Sequence, residues 1–158
     1  VFTQYDELVD LARAFPDQTI VINHLGGVSG SGPYAGKRDG EVFEAWKQGV
    51  AAAAACPNVY MKLGGLGQPR VGFGWERREK PPGSEELARA YAPWYRYCID
   101  QFGPRRCMFE SNFPVERASC SYTLLWNTYK RIAAGFTPEE KAALFHDNAA
   151  RVYRLAPR

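Results

Sequence analysis

The 158 residues contain only two histidines, two methionines and four cysteines, and these scarcities narrow the chemistry before any element is placed. Cys56, Cys98, Cys107 and Cys120 form no C-x-x-C pair. That spacing argues against zinc knuckles and dithiol redox motifs and leaves buried thiols of a cytoplasmic protein as the expectation. With His24 and His146 alone, and no G-x-S-x-G, a Ser-His-Asp triad has no frame. The longest apolar run, Val50 to Cys56, is far too short to cross a bilayer. No charged leader followed by an apolar segment is seen, so no secretory signal is expected. Lysine and arginine form no dense block and the net formal charge is +3, which argues against a nucleic-acid partner. Two nucleotide motifs also fail. Gly30 to Gly36 misses the dinucleotide spacing, with Pro33 spoiling the helix start. Ser31 to Arg38 lacks the first glycine and the final Ser or Thr of a P-loop.

What is present reads as one α/β domain with a sizeable core. A helix is expected over Thr3 to Phe15, with Leu8, Leu11, Ala12 and Phe15 as one apolar stripe. Thr19 to His24 is β-branched and nearly continuous, like a buried strand. A long glycine-rich loop over Leu25 to Gly40 precedes a helix from Glu41, and Val59 to Leu63 forms a second strand. A second long loop, Gly64 to Gly83, leads into a helix from Ser84, which Pro93 should kink or restart. A third strand runs from Arg106 to Ser111 or Asn112, where Pro114 stops it. A helix over Ser121 to Ala134 closes on Gly135. Thr137-Pro-Glu-Glu140 is a capping box opening a last helix with Leu144, Phe145, Ala149, Val152 and Leu155 inward. Helices between strands imply right-handed crossovers and a parallel sheet. The long loops all follow strands, so elaboration gathers at the C-terminal ends of the strands, where α/β folds place ligands. Three strands cannot close a barrel. The chain is therefore either a small open α/β domain or the C-terminal part of something larger.

Four polar side chains reach that end of the sheet. Strand alternation puts Glu110 and Asn112 on one side of the third strand, away from Phe109 and Ser111. Asn112 is either part of a site or a strand cap bonding local backbone. His24 ends the first strand, where imidazole beside carboxylate could bind a divalent metal or pass a proton, or could simply be hydrogen-bonded structure. Lys62 either neutralises an acidic substrate or pairs with Glu110. Tyr34, Lys37 and Arg38 are candidates to close over a ligand, with a solvated loop as the alternative. His146 beside Asp147 reads as a solvated or capping residue.

Ile20-Val-Ile-Asn-His-Leu-Gly-Gly27, Asn58-Val-Tyr-Met-Lys-Leu-Gly-Gly65, Cys107-Met-Phe-Glu-Ser-Asn-Phe-Pro-Val115 and Asn148-Ala-Ala-Arg-Val-Tyr-Arg154 occur in that order. Together they resemble the amidohydrolase-related family of metal-dependent hydrolases, which includes lactonases acting on sugar lactones and on pyrone dicarboxylate. The resemblance implies a partial (β/α)8 TIM barrel, with residues 1–158 as its C-terminal βα units ending in a helical pair. It implies a hydrolase of an ester or lactone bond in a small, acidic molecule, with a decarboxylase of the same superfamily as the alternative. His24 matches a mid-barrel histidine that serves as a metal or substrate ligand, and Asn112 matches a position that is usually aspartate. Glu110 would be the catalytic carboxylate, activating water, while His24 polarises the carbonyl and Lys62 binds a substrate carboxylate. A divalent metal, zinc or manganese, is implied for the parent, with metal-free chemistry as the alternative. The His-x-His of a first barrel strand is absent, and Asn112 is neutral where aspartate could take a proton. A further reading is an inactive half-barrel that works only by association with a partner half, because unpaired edges invite pairing. A homo-oligomer is the corresponding expectation for the chain alone.

Overall fold

The computed structural model describes residues 1–156, so the last two residues of the expected 1–158 domain lie outside it. Three parallel strands lie side by side in chain order: β1 (Ile20–Ile22), β2 (Val59–Leu63) and β3 (Cys107–Phe109). Ile22 pairs with Met61 and Met61 with Cys107, while Lys62 pairs with Met108 and Leu63 with Phe109. The helices are α1 (Tyr5–Ala14), α2 (Phe43–Ala54), α3 (Ser84–Phe102), α4 (Tyr122–Ile132), α5 (Pro138–Ala142) and α6 (Asn148–Val152).

Alternation along β2 sets the two faces. Val59, Met61 and Leu63 are buried, whereas Tyr60 and Lys62 are only partly covered. The buried face meets Trp46, Val50 and Ala53 of α2 and Leu87, Tyr91, Tyr95 and Cys98 of α3 in one core. The opposite face carries Lys62 toward the strand ends. All four cysteines are buried and unpaired, as the spacing suggested.

Several expectations are corrected. α3 runs unbroken from Ser84 to Phe102 with Pro93 inside it, so the proline does not restart the helix. The missing N–H costs about 3 kcal/mol in an ordinary helix interior, but the buried Trp94 and Tyr95 beside Pro93 hold the helix in place. β3 stops at Phe109, short of Ser111. A wide turn over Arg38–Val42 delays the second helix to Phe43, and α4 ends on Ala133, not on Gly135. Another wide turn, Ala143–Asp147, separates α5 from α6, which leaves Leu155 outside the helix and exposed. The capping box forms as expected: Thr137 N–H donates to Glu140 Oε2 at 2.9 Å, and Glu140 N–H to Thr137 Oγ1 at 3.2 Å.

The expected apolar stripe of α1 is only partly buried. Tyr5, Val9 and Ala12 face the core, while Leu11 and Phe15 are exposed. Leu8 and Leu11 instead line a groove of about 550 Å³ with Val21 and Arg70, along the free edge of β1. The helical pair is tied to the sheet by Asn148, which is fully buried. Its Nδ2 donates to the carbonyls of Pro104 (2.7 Å) and Cys107 (2.6 Å), at the entry to β3. Asn148→Ala would strand both carbonyls, and we expect a loss of about 2 kcal/mol in urea unfolding. A change within error of zero would show that the tie contributes nothing.

Candidate active site

Glu110 leaves β3 on the same side as Lys62, because Lys62 pairs with Met108 and Glu110 is two residues further on. Its own N–H continues the ladder to Leu63 O at 3.1 Å, and its carbonyl accepts from Tyr129 Oη at 2.9 Å. Both ends of the residue are therefore fixed before the side chain is considered. One carboxylate oxygen, Oε2, lies 2.6 Å from Lys62 Nζ. The other, Oε1, lies 2.5 Å from His24 Nδ1 and accepts the His24 backbone N–H at 3.1 Å. The Glu110 side chain is 9% exposed, Lys62 23% and His24 30%, so the imidazole is the most open of the three.

Alternation alone would send His24 the other way. Continued past Ile22, it would put His24 on the side of Met61, opposite Lys62. The backbone instead enters a left-handed turn in which His24, Leu25, Gly26 and Gly27 all have φ between 51° and 73°. For the two non-glycine residues this costs roughly 1–2 kcal/mol each. Offsetting contacts are visible. The Leu25 carbonyl accepts from Trp46 Nε1 at 2.7 Å and from Tyr5 Oη at 3.3 Å, and Gly26 N–H closes the turn on Asn23 O at 2.9 Å. A side chain at Gly26 would collide with the Tyr5 hydroxyl.

A glycine loop makes room for the carboxylates. A Cβ at Gly64 would strike Glu110, and one at Gly65, where φ is +82°, would come within 2.7 Å of His24 Cβ. A Cβ at Gly67 would strike a second carboxyl group, that of Glu116. Glu116 is fully buried in the short turn Val115–Ala118, and its Oε1 accepts Asn112 Nδ2–H at 3.2 Å. Burial pushes its pKa up to about 7. The Asn112 bond and the Gly67 amide pull it down, and the nearby Glu110 charge adds to the rise.

The amidohydrolase family model matches residues 2–155, nearly the whole chain. The chain belongs to the amidohydrolase family. An uncharacterized protein, y4mH, from Sinorhizobium fredii is 38% identical over 98% of this chain and 45% of its own length. An L-fucono-1,5-lactonase from Burkholderia ambifaria is 30% identical over 94% of this chain and 46% of its own. The crystal structure of an amidohydrolase from Burkholderia multivorans with bound HEPES superposes with a TM-score of 0.81 at 25% identity, covering 99% of this chain and 51% of that one. Another crystal form of an amidohydrolase from that organism, at 24% identity and the same TM-score, contains bound zinc. The chain thus spans about half the length of the relatives it matches. Its three parallel βα units match about half the length of an amidohydrolase TIM-barrel chain.

Of the expected site residues, His24, Lys62 and Glu110 come together. Asn112 sits at the same strand end, bonded to Glu116. Tyr34 and Arg38 make other contacts: Tyr34 lies edge-on to Phe2 at 5.1 Å, and Arg38 pairs with Asp39 at 2.5 Å while covering the Phe73 ring at 3.7 Å. His146 pairs with Asp147 at 2.8 Å and is well exposed, as expected of a surface residue. Glu116 is the residue sequence reasoning missed, and only its four-residue spacing from Asn112 could have signalled it.

A divalent metal fits these residues poorly. Among the described residues, no three His, Cys, Asp or Glu groups gather to hold one. The cluster offers one imidazole and one carboxylate already bonded to each other, with an ammonium against the second oxygen. Within this chain, the zinc or manganese expected at His24 finds no complete donor set.

Glu116 gives stability a pH dependence with a definite sign. Its folded pKa of about 7 exceeds the ordinary 4.5, so between those values the folded chain binds more protons than the unfolded one. Stability contributed by this group is therefore full below about pH 4.5 and falls as pH rises through 7, by about 3 kcal/mol at most. Comparing urea unfolding of the native chain with Glu116→Gln between pH 4.5 and 8 should show the decline removed in the variant. Parallel curves would contradict it.

Proposed function

We propose that the protein carrying this chain is a cytoplasmic hydrolase that opens an ester or lactone bond in a small organic molecule, one that carries or develops negative charge. The observation that supports this best is the bond between Glu110 and His24 Nδ1. A proton held on Nδ1 by the carboxylate leaves the Nε2 lone pair free, on a ring that is partly open to solvent. His24 then takes a proton from water as the water attacks the carbonyl, and returns it to the leaving alkoxide.

This shifts the base from Glu110 to His24. Both Glu110 oxygens are engaged, so the carboxylate orients the imidazole and stabilises its charge. Lys62 holds Glu110 with one of its three N–H groups, leaving two for a carboxylate or for an oxyanion formed on ring opening. The names of the relatives, L-fucono-1,5-lactonase and L-rhamnono-gamma-lactonase, favour hydrolysis over decarboxylation and supply the first substrates to try. In this reading the cavity is completed by barrel strands outside the chain. Three strands do not close a barrel, and the apolar groove along β1 is a surface such a strand, or a second copy in a homo-oligomer, would cover.

The test is Glu110→Gln in the longer protein. A carboxamide would turn its NH2 toward Nδ1 and favour the wrong tautomer. The kcat for L-fucono-1,5-lactone should fall by about 10²–10⁴ with KM little changed. Undiminished hydrolysis would remove the reading, and carbon dioxide release without water uptake would replace it with a lyase.

A further inference from the structure

Glu116 is a costly residue for its position. It is fully buried, its Oε2 has only the Gly67 amide nearby and no well-formed hydrogen bond, and it sits one residue after Val115, which is 50% exposed. A methionine of similar length would fill the space without the desolvation penalty of a carboxyl group. Holding the loop closed does not require the carboxyl either, because the Glu116 backbone N–H already bonds the Asn112 carbonyl at 3.2 Å. What the carboxyl adds is the second bond, from Asn112 Nδ2 to Oε1 at 3.2 Å.

That bond decides which way the carboxamide faces. A trigonal carboxamide has two lobes, a donor and an acceptor of nearly equal size, and without a fixed partner it can present either one. A buried acceptor taking the NH2 lobe sends Oδ1 the other way. Asn112 has a backbone φ of 50° and is itself only partly buried, at the strand end that carries Glu110. Gly67 leaves space for Glu116, and Ser119 Oγ–H donates to the Gly67 carbonyl, so the loop opposite is also held.

We propose that Glu116 is a positioning residue that locks the Asn112 carboxamide with its carbonyl oxygen outward, as a fixed hydrogen-bond acceptor for a ligand hydroxyl or the attacking water beside His24 and Glu110. Resting on the hydrolase reading, this assigns the ligand a hydroxyl donor at that point, as a polyhydroxylated lactone would supply. It also gives the neutral asparagine a defined role: acceptor without charge.

The experiment uses the longer protein with 15N-labelled asparagine. In the native protein the Asn112 side-chain NH2 protons should resist solvent exchange. Glu116→Met should raise their exchange about tenfold, the loss of a buried bond to a carboxyl oxygen. Glu116→Gln, which keeps an acceptor oxygen, should preserve the protection. Unchanged exchange in Glu116→Met with native backbone amide dispersion would overturn the proposal. Loss of protection in Glu116→Gln as complete as in Glu116→Met would also overturn it. These readings hold whether or not the protein hydrolyses lactones, so they fail independently of the hydrolase assignment. Where lactone hydrolysis is measured, Glu116→Met and Asn112→Ala should lower it by the same factor, and the double variant no further. Multiplying losses would count against the proposal.

Discussion

The carboxylate of Glu110 joins three separate strand ends. It takes the Lys62 ammonium from β2 on one oxygen, and the His24 imidazole and backbone N–H from beyond β1 on the other. Its own backbone is fixed to β2 through Leu63 and to α4 through Tyr129. An ionised carboxylate that is 9% exposed needs such partners, because an unpaired buried charge costs several kcal/mol. The need runs both ways: the partners hold the charge, and the charge holds the partners in place.

Space for this arrangement comes from missing side chains. Gly64, Gly65 and Gly67 line the far side of the two carboxyl groups and the imidazole, where any Cβ would force one of them out. The left-handed turn at His24 belongs to the same design. Its strain is local, and the donors that offset it, Trp46 Nε1 and Tyr5 Oη, come from α2 and α1. Helices packed behind the sheet thus support a turn at its front edge. Loops at that edge are laced together too: Arg38 covers Phe73, Phe73 stacks on Trp75 at 5.6 Å, and Arg78 covers Trp75.

The order of elements, the parallel sheet, the capping box and the buried thiols were all legible in the sequence. Each rests on local chemistry: β-branched runs, helical spacing, Thr137 with Glu140, the absence of paired cysteines. The convergence of Lys62 and Glu110 was legible as well, because a strand's period of two fixes the side on which each residue emerges. Boundaries were less so. Leu11 and Phe15 fit the helical stripe of α1 yet lie exposed, because the core is met by Tyr5, Val9 and Ala12 on a neighbouring face of the helix. Tyr34 and Arg38 stood in a loop whose partners no periodicity announces, and they face Phe2, Asp39 and Phe73.

By itself, then, the sequence determined three parallel βα units with an ammonium and a carboxylate at their strand ends, since these follow from patterns a few residues long, while the half-barrel rested on the family resemblance. Only the tertiary structure decided that His24 turns to the same side and that Glu116 is buried while Val115 is exposed. Both go against local pattern. A positive φ reverses the alternation at His24, while Gly67, distant in sequence, supplies the space and Asn112, four residues back, the bond that hold a carboxyl where hydropathy would place the valine.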